Sequence, residues 1–102
     1  MVKVPLPVTL KKYGLTAEEW LELYNKQGGV CFVCQKLPKS GRLNIDHFHV
    51  PKYKKLPPEE RKKFVRALVC YWCNKSYLGR GITIEKSKRV TQLLEEFKER
   101  IR

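Results

Sequence analysis

The sequence has few acidic residues and no long apolar run, and both features limit the classes of partner that the protein can have. Asp and Glu number 10 against 22 Lys and Arg, which gives a formal net charge of +12 at pH 7. A protein this basic is expected to bind a polyanion, and nucleic acid is the commonest one. No apolar stretch approaches the roughly 18 residues of a membrane span, so no membrane partner is predicted. The first residues lack a continuous apolar core, which argues against a secretory signal and favours a cytoplasmic protein.

The length leaves no room for a second domain. At roughly 150 residues per domain, 102 residues predict one domain over positions 1–102. A hydrophobic content of 42% is enough to fold, but a chain this short buries a modest core that a metal or disulfide would help. No internal repeat or low-complexity linker divides the chain. We therefore predict a small α+β domain.

Local signals predict three helices, one or two further helical turns and two short strands. Thr16 and Glu19 form a capping-box pattern at the start of the first helix, and Gly28-Gly29 ends it near Gln27. The strands are predicted at residues 42–47 and 65–70, a helical turn or two at 59–64, a short helix at 72–78 and a C-terminal helix at about 84–101. The last helix carries an apolar stripe, which we expect to pack on the protein's own core: Val90, Leu93, Leu94, Phe97 and Ile101.

The four cysteines form two Cys-x-x-Cys pairs, Cys31 with Cys34 and Cys70 with Cys73. Two disulfides would need an oxidising compartment, and no export signal is visible. A dithiol redox centre would explain one pair but not both. A structural zinc site explains all four, because two such turns place four thiolates around one ion. Zinc is therefore the favoured reading, with the segment between the pairs looped out of the metal site.

Both histidines lie in that segment, in Asp46-His47-Phe48-His49. On an extended backbone His47 and His49 share one face, and Asp46 points the other way unless the strand bends. Asn74 follows the last cysteine directly, at a position that a metal would fix. These side chains are either ordinary surface groups or the polar centre of a site.

The segment at about 51–64 is strongly basic. Seven basic and two acidic residues lie between positions 51 and 66. One interpretation is a solvated loop, and the other is an arm that contacts phosphates and makes binding salt-dependent. The candidate nucleic-acid-binding residues are Lys52, Lys54, Lys55, Arg61, Lys62, Lys63 and Arg66.

Taken together, these motifs resemble the HNH nucleases of the ββα-metal fold, most closely the recombination endonuclease VII branch. The resemblance covers about residues 13–80 and rests on the two cysteine pairs, the Asp46-to-His49 motif and Cys73-Asn74. Tyr13-Gly14-Leu15, Gln27-Gly28-Gly29 and Leu78-Gly79 are also similar to that branch. The fold implied is a zinc-stabilised ββα-metal core with an N-terminal helix and a C-terminal amphipathic helix.

The resemblance also implies roles for the site residues. Asp46 and Asn74 match ligands of a catalytic divalent metal, Mg²⁺ or Mn²⁺, and His47 matches the general base. His49 matches a residue near the scissile phosphate or the metal. The implied activity is hydrolysis of DNA phosphodiester bonds, on nicked or branched DNA among other substrates, in a bacterial cell or a phage-infected host.

Two departures from the branch and two rival functions stay open. The basic segment stands where relatives often have a short turn, and the branch's archetype forms its dimer through a longer helical extension. Monomer and homodimer are therefore both open. The rival functions are a non-catalytic zinc-binding nucleic-acid module and a zinc domain that docks on a protein.

Overall fold

The computed structural model describes residues 2–79 and 81–101 as a two-stranded sheet surrounded by helices. The elements run in the order α1 (Pro7–Lys12), α2 (Ala17–Lys26), β1 (Asn44–His47), a 3-10 helix (Tyr53–Lys55), α3 (Pro58–Lys62), β2 (Val65–Val69), α4 (Tyr71–Ser76) and α5 (Ile84–Arg100). The α+β prediction is confirmed, although α1 and the 3-10 helix were not foreseen. Among the described residues, no helix is both long and apolar enough to cross a bilayer.

Helix α2 begins and ends where its local sequence predicts. The Thr16 side chain accepts a hydrogen bond from the Glu19 backbone, and the Glu19 carboxylate accepts one from the Thr16 backbone N–H. This reciprocal pair satisfies two N–H groups that a helix start leaves free. The helix ends at Lys26, before Gly28 and Gly29, which both adopt positive φ.

Strands β1 and β2 are antiparallel and contain one β-bulge. Asp46 lies opposite Ala67 and His47 lies opposite Val65, so Arg66 is the extra residue on β2. Both strands are shorter than predicted, at residues 44–47 and 65–69 instead of 42–47 and 65–70. Leu68 and Val69 of β2 are fully buried and form the centre of the core with Trp20.

The side chain of Gln27 extends the sheet on the far side of β2. Its amide nitrogen donates to the carbonyl oxygens of Val30 and Leu68, and its amide oxygen accepts from the Leu68 N–H. Gln27 thus stands in for a third strand and fixes the end of α2 beside β2. An unpaired backbone group of Leu68 would be costly, because that residue is buried.

The basic segment at 51–64 is a docked structure, which argues against the solvated-loop interpretation. Gly14 adopts a φ of +70°, and any side chain there would collide with the carbonyl oxygen of Pro58 at the start of α3. Arg61 donates to the backbone oxygen of Lys12, and Lys62 pairs with Glu19. The segment is therefore held against α1 and α2.

Helix α5 projects away from the core, and the prediction of a buried stripe is wrong. None of its residues is buried, and the five apolar residues of the stripe are all exposed. A helix of 17 residues is about 25 Å long, and the radius of gyration of 15.8 Å exceeds the roughly 13 Å of a compact chain of this length. The core is completed by α1, α2, the sheet and the cysteines, so α5 has no buried surface to cover.

Candidate functional site

The four cysteines form one cluster on the side of the sheet where β2 meets α4. Their sulfur atoms all lie within 4.8 Å of one another, and those of Cys34 and Cys70 are 4.0 Å apart. A tetrahedral zinc site with Zn–S bonds of about 2.3 Å needs sulfurs about 3.8 Å apart. A contraction of at most about 1 Å would close the cluster around an ion, so these residues fit zinc.

Local backbone structure brings the two pairs together. The Cys31 N–H donates to the Lys36 carbonyl, and the Gln35 N–H donates back to the Cys31 carbonyl, which closes a tight turn after α2. The N–H of Phe32 donates to Leu68 of β2. That bond ties the turn to the strand that leads into the second pair.

The pKa values show why four thiols this close favour a cation. Burial raises the pKa of Cys31, but backbone hydrogen bonds from Cys34, Cys70 and Val33 outweigh it and leave the pKa at about 6. Burial and the hydrogen bonds of the other three sulfurs raise the pKa of Cys73 to about 12. One thiolate forms readily, but four form together only when a metal ion balances their charge. The disulfide and single-dithiol alternatives are disfavoured, since all four sulfurs are free and share one cluster.

Asp46 is buried and bound by Arg66. Nε of Arg66 lies 2.7 Å from Oδ2 of Asp46, and Nη2 lies 3.0 Å from Oδ1. The bulge explains the pairing, because it places two β2 residues, Arg66 and Ala67, opposite Asp46. The predicted metal ligand thus has both carboxylate oxygens occupied by a guanidinium in this structure.

Three rings surround the imidazole of His47. Its centroid lies 4.6 Å from that of His49, 4.6 Å from that of Tyr53 and 5.2 Å from that of Tyr13. The two histidines therefore lie together, as the spacing of two residues predicts. Burial raises the pKa of Tyr53, and its hydroxyl donates to the Arg61 carbonyl. The basic segment thus packs a neutral ring directly on His47.

A groove of about 900 Å³ opens beside this ring cluster. Its lining includes both histidines, the exposed side chains of three lysines, and Arg66 at one side: His47, His49, Lys52, Lys54, Lys55 and Arg66. The other predicted phosphate contacts have different partners. Lys62 pairs with Glu19, which lowers the pKa of that carboxylate, and Lys63 pairs with Glu60. The predicted basic set therefore divides into a groove-lining group and a group that anchors α3.

Asn74 lies in α4, one residue after Cys73, and lines a different cavity of about 690 Å³. That cavity is also lined by Tyr13, Arg42 and Asn44, but not by Asp46. Tyr13 connects the two regions, since its ring packs on His47 and its surface lines the Asn74 cavity. The structure brings His47 and His49 together, and Asn74 lines a cavity that it shares with Tyr13, whose ring packs on His47.

Sequence reasoning did not identify Tyr13 or the ring of Tyr53 as part of the site. Tyr13 lies 34 positions before His47, and no local pattern links residues at that separation. In the sequence, Tyr53 stands out only as an aromatic residue among lysines. That pattern fits stacking on a nucleic-acid base as well as it fits packing on His47. The basic segment packs against α1, and this packing places the Tyr53 ring on His47.

The comparisons with known proteins agree with the sequence motifs. The family model for recombination endonuclease VII matches residues 8–99. The Gene 59 protein of Mycobacterium phage D29 is 41% identical over 71 residues, which cover 69% of this chain and 36% of that protein. The Gene 59 protein of Mycobacterium phage L5 is 38% identical over 71 residues, covering 69% and 37%.

The chain therefore matches only about a third of the length of these curated relatives. No solved structure matches the chain. The family model nevertheless spans every residue of the cysteine cluster, the ring cluster around His47 and the groove beside it. The chain belongs to the recombination endonuclease VII family.

Proposed function

We propose that this chain is a metal-dependent DNA endonuclease of the HNH type, built on a ββα-metal core. The observation that carries the proposal is the groove, where two contacting histidines lie beside Lys52, Lys54 and Lys55 in a member of an endonuclease family. The lysines offer charge for the backbone of a nucleic acid, and the histidines offer proton transfer. The order β1, β2, α4 fits the ββα arrangement.

His47 is proposed as the general base. A neutral imidazole can accept a proton from water near neutral pH, which generates the nucleophile for phosphodiester hydrolysis. Tyr13, Tyr53 and His49 restrict the orientation of the ring. His49 is proposed to contact the scissile phosphate from the same side of the groove.

Asp46 and Asn74 are proposed to hold the catalytic ion, Mg²⁺ or Mn²⁺. Carboxylate and amide oxygens are the donors that a hard cation prefers. When bound, such an ion polarises the phosphoryl oxygen and stabilises the leaving oxygen. Arg66 must then release Asp46, and we propose that its guanidinium turns to a DNA phosphate in the groove that it already lines.

Cys31, Cys34, Cys70 and Cys73 are proposed to hold a structural zinc ion. Four protein ligands close the coordination shell, so this site takes no part in hydrolysis. Its role is to join the turn after α2 to the start of α4, which carries Asn74. The proposed partner is DNA, with branched DNA among the substrates, in the cytoplasm of a bacterium or phage-infected host, as the phage relatives suggest.

The ion pair between Asp46 and Arg66 favours a second candidate, a non-catalytic zinc-binding nucleic-acid module. In that case Asp46 has a structural role, and the groove binds DNA without cleaving it. Nicking of supercoiled plasmid separates the two, measured with Mg²⁺, with Mn²⁺ and without added divalent ion. His47→Ala is expected to abolish nicking while DNA affinity and zinc content stay near those of the parent.

The matched control is Asn25→Ala, an exposed position on α2 outside the groove. It should nick plasmid like the parent protein. Nicking by His47→Ala at the parental rate would remove the general-base assignment. Absence of ion-dependent nicking in the parent, with zinc bound and DNA affinity intact, would leave the binding module as the function.

A further inference from the structure

Two neighbouring aromatic side chains at the start of α4 point into solvent. Tyr71 and Trp72 are 66% and 69% exposed, although Cys70 and Cys73 on either side are buried. Tryptophan is on average a strongly buried residue, so this exposure is unusual. Hydrogen bonds from the Cys73 N–H to the Cys70 sulfur and from the Asn74 N–H to the Cys70 carbonyl fix the backbone of this turn, and both rings face solvent from it.

A groove of about 730 Å³ lies beside these rings, and Cys34 and Cys70 of the cysteine cluster form part of its lining. Its lining includes Lys36, Lys39, Arg42 and Lys75, and no acidic residue. In the described part of the chain, none of these four side chains forms an ion pair with a carboxylate. The ammonium of Lys75 instead lies 5.8 Å from the centre of the Tyr71 ring. We call this surface the aromatic groove.

Flat aromatic faces beside unpaired cations match the chemistry of a single nucleic-acid strand. Bases stack on the rings while phosphates interact with the lysines and arginine. A duplex does not offer the same match, because its base faces are already stacked on one another. The positive charge of the groove favours a polyanion over an uncharged, apolar protein partner.

The aromatic groove also leads toward the proposed active site. Arg42 and Asn44 line both this groove and the cavity of Asn74, and Tyr13 connects that cavity to His47. A strand held on Trp72 would thus lead past Arg42 and Asn44 toward the Asn74 cavity. The geometry points to a binding site for unpaired DNA, with a base stacked on Trp72 or Tyr71. This inference rests on the proposed DNA endonuclease function. It specifies that the unpaired part of a DNA substrate lies beside the cysteine cluster.

A different role for the four cations would be to balance the charge of a zinc–thiolate cluster. Such a role would be most direct through hydrogen bonds from the basic side chains to sulfur, and charge balance also acts at a distance through space. Within the described residues, the hydrogen bonds to these sulfurs come from the other cysteines and from the backbone of Val33, and none comes from the four basic side chains. The exposed rings also have no part in such a role. A bound nucleic-acid strand uses both the rings, through its bases, and the cations, through its phosphates.

Intrinsic fluorescence tests the site directly. The chain has two tryptophans, and Trp20 is buried, so a quencher that reaches the surface reports on Trp72. Titration with an oligothymidylate at low salt, without divalent ion, is expected to quench the exposed emission. Trp72→Ala should weaken binding of that strand at least fivefold in an anisotropy assay, since stacking contributes about 1–3 kcal/mol per base. Trp72→Phe should recover part of the loss.

Tyr77→Ala is the matched control, because Tyr77 is another exposed aromatic residue that lies just after α4 and does not line the groove. It should bind the strand like the parent, and Trp72→Ala should bind duplex of the same length within twofold of the parent. Equal losses in the two variants, equal losses for duplex and single strand, or no quenching would overturn the inference. So would a change in oligomeric state of Trp72→Ala, which would mark a protein interface instead. Zinc content and melting temperature verify that each variant is folded.

The outcome is independent of catalysis. Quenching with no plasmid nicking would refute the endonuclease proposal and retain the aromatic groove. Nicking without quenching would retain the endonuclease proposal and refute the aromatic groove as a binding site for unpaired DNA.

Discussion

Arg66 holds both carboxylate oxygens of Asp46 at hydrogen-bond distance, 2.7 Å and 3.0 Å. The Asp46 side chain is 4% exposed and that of Arg66 is 34% exposed, so the pair lies at the boundary between core and groove. A bidentate, charge-assisted contact of this kind fixes a carboxylate firmly. The same contact competes with any cation that needs Asp46.

Arg66→Leu should therefore bind Mn²⁺ more tightly than the parent protein, by several-fold in the dissociation constant. The guanidinium no longer competes for the carboxylate, and the buried charge needs a new partner. Titration followed by electron paramagnetic resonance of free Mn²⁺ measures the change without any cleavage assay. Asp46→Asn combined with Arg66→Leu should lose the gain. An unchanged Mn²⁺ affinity in Arg66→Leu would mean that Asp46 is not a metal ligand.

The same substitution should cost stability in the absence of metal, on the order of 3 kcal/mol, because it leaves a buried carboxylate unpaired. Urea unfolding measures the loss. Arg66→Lys keeps the positive charge but cannot form the two parallel hydrogen bonds of the guanidinium. Its free energy of unfolding should lie between those of the parent and Arg66→Leu. A loss below 0.5 kcal/mol, roughly the effect of an ordinary surface substitution, would contradict the ion pair.

Cys70→Ser should lower both zinc stoichiometry and melting temperature. The substitution removes one thiolate from a cluster whose sulfurs lie within 4.8 Å, and structural zinc contributes directly to folding. Elemental analysis and thermal unfolding followed by circular dichroism are the measurements. Ser76→Ala is a control at an exposed position of α4 and should change neither. If the purified parent contains no zinc and Cys70→Ser melts at the parental temperature, the cluster has no structural metal.

Replacing Lys52, Lys54 and Lys55 with Gln should weaken DNA binding and flatten its dependence on salt. Each lost phosphate contact reduces the slope of log K against log salt by about 0.9. Fluorescence anisotropy over a salt series gives the slope. The control replaces Lys11, Lys26 and Lys98, three exposed lysines that do not line the groove, with the same change in charge. Equal slopes for the two triple variants would assign the effect to net charge alone.

Leu94→Ala should change the free energy of unfolding by less than about 0.5 kcal/mol, since Leu94 is 63% exposed and alanine favours helix. Leu68→Ala, at a fully buried position, should cost about 2–5 kcal/mol. Urea unfolding compares the two. A loss at Leu94 close to that at Leu68 would show that the stripe of α5 is covered in solution, and light scattering would then show whether a second copy covers it.

Much of the local structure could be predicted because its causes lie within a few residues. Thr16 and Glu19 set the start of α2 through bonds between themselves, and Gly28 permits the positive φ that ends it. The cysteine pairs indicate a shared cluster because a Cys-x-x-Cys turn places two sulfurs close together, and tetrahedral coordination needs four. Helix α5 was predicted within one residue of its observed end for the same local reasons.

The environment of each site residue required the tertiary structure. Arg66 reaches Asp46 because a bulge shifts the register of β2, and a sequence pattern does not reveal one extra residue in a strand. Tyr53 reaches His47 because the basic segment docks through Gly14, Lys62 and Arg61 on α1 and α2. The apolar spacing of α5 indicates a helix with one apolar face, but not what that face contacts.

The sequence by itself determined the charge, the cysteine cluster, the main helices and the family, since each depends on composition or on neighbours along the chain. Only the tertiary structure decided that Asp46 is bound by Arg66, that His47 lies among three rings, and that Trp72 and the stripe of α5 face solvent. The Asp46–Arg66 and Tyr13–His47 contacts join residues 20 and 34 positions apart. Strand register and packing select them, and neither is encoded in any single short segment.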